Sequence, residues 1–193
     1  PKLQRHLVNV CVAGPIELRT VHDSDDPRAR YEIVDEMWFD SPDDFRRALL
    51  GPAARELAES IDVMNCYRVS DTTVLDRRRE TPPRVEGFKL LRELLFFEDL
   101  PDAAAKRLWA HHGKLALQVH VGMTNYLQHW VEEVLTPGTP RVRGISQLFF
   151  PSYGELAQRY YESPQARAQV LHDTGHFIER RLPRVYAHEH VLK

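Results

Sequence analysis

Twice along this chain an apolar run ends at a serine suited to capping a helix, and twice the helix that follows is broken by a proline. Met37-Trp38-Phe39-Asp40-Ser41 is matched by Leu148-Phe149-Phe150-Pro151-Ser152. Gly51-Pro52-Ala53-Ala54-Arg55 is matched by Ser163-Pro164-Gln165-Ala166-Arg167 after a shift of one residue, and His6-Leu7-Val8 by His129-Trp130-Val131. Landmarks that agree in order and spacing mark an internal repeat. A repeat constrains the fold more tightly than local propensity does, because one supersecondary unit must serve both copies.

In the first half, residues 4–13 read as a strand with Val8, Val10 and Val12 on one side, and Tyr31 to Phe39 as a second strand. Gly14-Pro15 and the polar run His22 to Pro27 lie between them as turns or loop. Ser41-Pro42-Asp43-Asp44 opens a helix, with a hydroxyl cap, proline at the first helical position and acids at the positive end of the dipole. Gly51-Pro52 interrupts that helix, a further helical piece spans Ala53 to Ser60, and Val63 to Val69 reads as a strand. Asp76 to Pro83 is charged and proline-bearing, as suits a connector. The expected division is therefore a first repeat over 1–75, a linker over 76–86 and a second repeat over 87–193.

The second half is more complete. Phe88 to Phe97 reads as a strand, Pro101-Asp102 opens a helix ending near Val119-His120, and Met123 to Val134 and Gly144 to Phe150 read as strands about a turn at Thr136 to Pro140. Ser152-x-x-Glu155 is a capping box for a helix interrupted at Ser163-Pro164 and resumed through Ile178, and Arg184 to Leu192 closes the chain as a strand. Strand, helix, strand, strand, helix, strand is the ferredoxin-like order, an α+β class. The first half lacks a counterpart of its opening strand and helix, so these are expected to lie outside this sequence.

With 42% hydrophobic and 28% charged residues, 193 residues suffice for one good core or two small ones. A net charge of −2 with mixed signs argues against a nucleic-acid surface, and no apolar run approaches the ~20 residues of a bilayer span. The two cysteines, Cys11 and Cys66, lack CxxC spacing and are expected as reduced, buried thiols. No signal peptide is evident among the first residues, so a cytoplasmic location is expected.

On the helix from Pro101, Ala104, Leu108, His112, Leu115 and Val119 share one face, which sets His112 within an apolar stripe. Such a ring is either a core histidine satisfied by a neighbouring carbonyl or a neutral imidazole poised to move a proton near pH 7. Tyr126, Gln128 and Trp130 share one face of their strand, either as a packing face or as an aromatic and amide wall for a flat substrate. The pairs His172/His176 and His188/His190 have spacings that put both rings on one side. Neither has a third ligand in view, so no metal is expected.

The ordered set Trp109-x-x-His112-Gly113-x-Leu115, Tyr126-x-Gln128, Tyr160-Tyr161-x-Ser163-Pro164-x-Ala166-Arg167, Asp173, Phe177-Ile178 and Glu189-His190-Val191 resembles the EthD family of dimeric α+β barrel proteins. It covers the second half and, more weakly, the first. Lys114 stands where the family usually has proline. The resemblance implies two sheets face to face, here as tandem ferredoxin-like repeats in an intramolecular barrel with a pocket between sheet and helices.

Carried over by position, His112 and Asp173 are the expected catalytic pair, His112 moving a proton and Asp173 orienting it. The alternative leaves Asp173 as a surface acid paired with Arg167 or Arg180. Trp109, Tyr126, Gln128 and Trp130 are the expected substrate contacts. The resemblance implies a small enzyme needing no cofactor, of lyase, isomerase or dehydratase type, acting on a hydrophobic, aromatic or polyketide-derived metabolite. A cofactor-free monooxygenase on a phenolic substrate and a non-catalytic ligand-binding or scaffold protein stand as the alternatives. No nucleic acid or membrane partner is expected, and a homodimer of such barrels is compatible with the fold.

Overall fold

The computed structural model describes residues 2–12, 31–49, 51–77 and 87–193. In chain order the elements are β1 (Leu3–Val12), β2 (Ile33–Phe39), α1 (Pro42–Leu49), α2 (Pro52–Glu59), β3 (Tyr67–Asp76), β4 (Phe88–Phe96), α3 (Asp102–Val119), β5 (Asn125–Val134), β6 (Gly144–Phe150), α4 (Tyr153–Arg159), α5 (Pro164–Thr174) and β7 (Ile178–Val191). Local chemistry starts the helices as the sequence indicates. Ser41 Oγ accepts from Asp44 N, Ser152 Oγ from Glu155 N and Ser163 Oγ from Ala166 N, each at 3.1 Å.

All seven strands join one antiparallel sheet in the order β2-β1-β7-β4-β6-β5-β3. The inner run β7-β4-β6-β5 is the ferredoxin-like order of the second half, and β1 and β3 of the first half extend it on either side. The two facing sheets implied by the family resemblance are thus one continuous sheet. Its outermost strands meet again, since Trp38 Nε1 on β2 donates to Asp71 Oδ2 on β3 at 3.3 Å. From just ahead of β2, the Tyr31 hydroxyl reaches Glu93 on β4 at 3.0 Å. The sheet is a curled half-barrel with a concave interior.

Alternation along each strand separates two cores. Outside, Leu90, Tyr126, Leu148 and Phe150 pack with Ala116 of α3 and Leu156 of α4, and Phe96 and Trp130 pack with Trp109 of α3. Inside, Leu91, Val185 and Ala187 meet Cys11, Tyr31 and Val34. The interior also holds an ion network. Lys89, with no exposed surface, pairs with Glu36 of β2 and with Glu189 of β7 at 2.6 Å. Asn9 Nδ2 donates to Glu36 Oε1 and to the Val34 carbonyl, each at 2.8 Å. With its oxygen accepting from Lys89 (3.0 Å), Gln147 donates to Glu36 (3.1 Å) and to His129 Nε2 (2.9 Å). The His129 proton then lies on Nδ1, which is 2.7 Å from Asp71 Oδ1.

Several boundaries differ from expectation for identifiable reasons. Residues 63–66 are not strand, because β5 ends at Val134 opposite Tyr67, and Val63 is left 71% exposed. The last strand begins at Ile178 rather than Arg184, its first residues pairing along β4 as far as Phe96. That ends α5 at Thr174, where Gly175 N turns back to the Leu171 carbonyl. On β1 the buried residues are Leu7 and Asn9, while Val10 is exposed, because the interior face takes the odd-numbered positions. Of the linker expected over 76–86, Asp76 ends β3, and residues 78–86 lie outside the described residues, as do the loop readings on residues 14–27. Among the described residues no helix is long and apolar enough to cross a membrane.

The Lys89 network yields a stability prediction. Replacing Lys89 by Met leaves Glu36 and Glu189 as buried carboxylates without their cation, a loss of about 3–5 kcal/mol. The Lys89→Met protein should unfold at a markedly lower denaturant midpoint with an unchanged slope. A midpoint equal to wild type would mean that the interior carboxylates do not depend on the lysine.

Candidate active site

Helix α3 lies on the convex face with Ala105, Trp109, His112, Gly113, Ala116 and Val119 buried. This stripe is rotated from the expected one: His112 and Val119 belong to both, but Leu108 is exposed. The glycine of β6 sets the close approach, since a Cβ on Gly144 would fall 2.6 Å from the Trp109 ring. Helix α5 packs on α3 through Ala166 and Val170 against Val119.

That packing brings together the two residues nominated from sequence. His112 Nδ1 lies 2.7 Å from Asp173 Oδ2. The carboxylate holds the ring proton on Nδ1 and leaves Nε2 with its lone pair, the tautomer of a general base. Burial pushes the His112 pKa below its usual value and outweighs the opposing pull of Asp173. The ring is therefore neutral at pH 7, and its carboxylate partner stabilises any imidazolium that forms. The partner of Asp173 is this ring; the alternative partner Arg180 lies outside the described side chains.

His112 lines a cavity of about 70 Å³ between sheet and helices. Its apolar wall includes Leu94, Trp109, Leu148 and Ile178, and its polar wall His120, Tyr126, Tyr160, Tyr161 and four arginines. The space is well below the ~300–1,000 Å³ of pockets for drug-sized ligands. A ring-bearing molecule enters only as lining side chains move aside. His120 donates from Nδ1 to the Tyr160 carbonyl, and the Tyr160 and Tyr161 rings pack on it with centroids 4.5 and 5.3 Å away. Burial lowers the His120 pKa to about 4. Burial also pushes the Tyr126 hydroxyl up to about 12, so it stays protonated.

Of the four expected substrate contacts, Trp109 and Tyr126 line the cavity, whereas Gln128 and Trp130 do not. Gln128 donates to the Trp109 carbonyl (2.8 Å) and the Tyr126 hydroxyl (3.0 Å), a support behind the wall. Trp130 is taken up by packing, 5.6 Å from the Phe96 ring, with the Lys106 ammonium 4.7 Å above it. The His172 and His176 rings meet edge to face at 4.9 Å, His188 packs on Phe88 at 4.4 Å, and His190 is exposed. Among the described residues no group of three potential metal ligands is assembled.

The sequence reading did not single out His120, Tyr160 or the arginines Arg92, Arg181 and Arg184 as site residues. Arg92 carried a usable signal. It interrupts an apolar strand at a position that alternates with Leu90 and Leu94, the two residues facing the helices. Arg181 carried none, because the residues before Arg184 did not read as strand.

No family model matches the chain, and no curated protein sequence does. Among solved structures it is similar to an anthrone oxidase-like protein, with TM-score 0.64 and 12% identity over 98% of this chain and 78% of that one. A protein described as a monooxygenase from Lactobacillus acidophilus NCFM aligns at TM-score 0.48 and 12% identity, over 97% of this chain and 78% of that one. The first likeness, together with the curled antiparallel sheet and its outer helices, gives the fold as that of dimeric α+β barrel proteins.

Two of the three buried histidines among the described residues, His112 and His120, define an acid-stability prediction; the third, His129, has its pKa raised by Asp71 against the effect of burial and titrates with the opposite sign. His112 and His120 have folded-state pKa values below the ~6.5 of an unfolded histidine, so the unfolded chain binds more protons as pH falls. The contribution of His120 is fully present above pH ~6.5 and is lost progressively toward pH 4, and that of His112 is lost in the same direction as the pH falls below ~6.5. Each pH unit between a histidine's unfolded and folded pKa removes about 1.4 kcal/mol. Denaturant midpoints measured from pH 7.5 to 4.5 should fall, and His120→Gln should flatten that limb. An identical limb in the variant would assign it to other groups.

Proposed function

We propose that this chain is a small enzyme in which His112, oriented by Asp173, removes a proton from a ring-bearing substrate held in the convex-side pocket. The observation that carries this reading is the 2.7 Å contact between Nδ1 and the carboxylate on an aromatic-lined cavity. It supplies a neutral base whose conjugate acid is stabilised in place. The imidazole lies beside Phe177, with ring centroids 5.9 Å apart.

The substrate that suits such a base is one whose carbanion or phenolate is delocalised, as in a phenol or an anthrone. For an anthrone the balanced reaction is conversion of a ring CH2 and O2 to a ring C=O and H2O. His112 takes the first C–H proton, and the carbanion delivers electrons to O2 and forms a C–O bond. The imidazolium returns the proton to the peroxide, and loss of the second C–H proton breaks the O–O bond and releases water. The oxidant is dioxygen itself. The likeness in fold to an anthrone oxidase-like protein supports this direction.

The same pair, without dioxygen, would serve a lyase, isomerase or dehydratase step, since proton removal and return is all that it must do. Membership of the EthD family is part of the proposal, supported by the Trp109, His112 and Asp173 set. So is the tandem organisation. Strand β1 pairs with β7 and β3 with β5. If β1, β2 and β3 are the second, third and fourth strands of a first repeat, each contact joins the second strand of one repeat to the fourth of the other. That reciprocity is what two copies related by a pseudo-two-fold axis make.

With an anthrone as substrate, oxygen uptake should fall about 10²–10⁴-fold in His112→Ala while the circular dichroism spectrum is retained. Asp173→Asn should lower it less. Full oxygen uptake by His112→Ala would sink the assignment of the base. Product formation that continues without dioxygen would move the reaction to the isomerase or lyase class, and ligand binding without turnover in wild type would make the protein a binding module.

A further inference from the structure

The cavity beside His112 is more cationic than proton abstraction from a neutral hydrocarbon requires. Arg92 of β4, Arg167 of α5, and Arg181 and Arg184 of β7 all line it, and among its described lining residues there is no aspartate or glutamate. Three of these guanidinium groups are held in place. Arg92 Nε donates to the Leu182 carbonyl at 3.1 Å, Arg181 donates to Thr174 Oγ1, and Arg184 lies over the Tyr160 ring at 5.5 Å. They also act on a common region. Arg184, Arg92 and Arg167 each favour negative charge at the Tyr161 hydroxyl, although burial keeps it protonated. Arg184 disfavours the charge on Arg181, whose pKa is itself lowered by burial.

An anion that enters beside Arg181 and Arg184 offsets the repulsion between them. A guanidinium fork matches a carboxylate in both charge and shape. Trp109 and Tyr126 share the cavity and give it an aromatic lining suited to a flat apolar body.

We infer that the pocket takes an aromatic carboxylate, the arginine wall holding the carboxylate while the ring lies toward Trp109, Tyr126 and His112. The inference rests on the proposed site and adds the substrate's charge and its orientation. The wall has a second consequence there: the positive field favours the enolate or phenolate formed when the base takes its proton.

The test is equilibrium binding by titration calorimetry of 2-naphthoate against its uncharged isostere 2-naphthamide. Naphthoate should bind at least tenfold more tightly than the amide, and the preference should shrink as salt is raised. Arg181→Gln and Arg184→Gln should each weaken naphthoate at least tenfold and leave the amide unchanged, with Arg181→Lys recovering part of the loss. Equal affinities for the two ligands, or no binding of naphthoate, would overturn the inference; this comparison uses wild-type protein and so does not depend on how the variants fold. Selective binding in a protein that shows no turnover would leave the anion site standing while the catalytic reading falls.

Discussion

The Lys89 ammonium is wholly removed from water and draws its two carboxylates from strands that lie far apart in the chain, Glu36 on β2 and Glu189 on β7. Desolvating an ion costs several kcal/mol unless its partners are in place. Glu36 reaches the lysine only when β2 has paired with β1 and β1 with β7. The contacts then continue from Lys89 to Gln147, from Gln147 to His129, from His129 to Asp71, and from Asp71 back to Trp38 on β2. This belt runs through β4, β6, β5 and β3 and crosses the seam to β2, joining the two ends of the hydrogen-bonded strand order. Side chains thus close a ring that the described backbone ladders leave open.

The interior belt occupies the concave side, and the cavity that holds His112 lies on the convex side, between sheet and helices. The strands that anchor the interior belt present their alternate residues to the helices, so Lys89 and Leu91 inside imply Leu90 and Arg92 outside. The same alternation places Gln147 inside and Ser146 and Leu148 at the pocket. The floor of the pocket is therefore as fixed as the belt beneath it. Its roof comes from helices, and the proposed catalytic pair spans two of them, His112 on α3 and Asp173 on α5, 61 residues apart in the chain. The helix contact through Val119, Ala166 and Val170 sets the separation of that pair.

What was legible in the sequence was the part governed by neighbours along the chain. The serine caps at 41, 152 and 163 each satisfy a backbone N–H three residues on, so local residues alone specify them. The strand order of the second half follows from its element order. The phase of α3 was less legible, because Leu108 is exposed while Ala105 and Gly113 are buried, and small residues carry little hydropathic signal where a helix approaches a sheet closely. The interior belt was not legible at all. Asn9, Lys89 and Gln147 look like breaks in apolar alternation, and only the curl of the sheet supplies their partners. His112 and Asp173 were nominated by position in a resembling family, but no local rule placed them in contact. The arginine wall stayed hidden because the first residues of β7 pair with β4 through a strand that carries Arg181 and Pro183, residues that do not read as strand.

The electrostatics of the proposed site answer a difficulty that burial creates. Lowering the pKa of His112 keeps the ring neutral and able to accept a proton, but it also makes the ring a weaker base. Asp173 restores part of that basicity by stabilising the imidazolium. The arginines act on both partners of the proposed transfer: Arg181 adds to the lowering of His112, while the positive field of the wall would lower the pKa of the substrate's own proton by favouring the anion left behind. Proton transfer is efficient when donor and acceptor pKa values approach one another. In the proposed reaction the carboxylate raises the base and the guanidinium wall lowers the substrate, so a match is approached to the extent that Asp173 on His112 and the wall on the substrate outweigh the opposing pull of Arg181 on the ring.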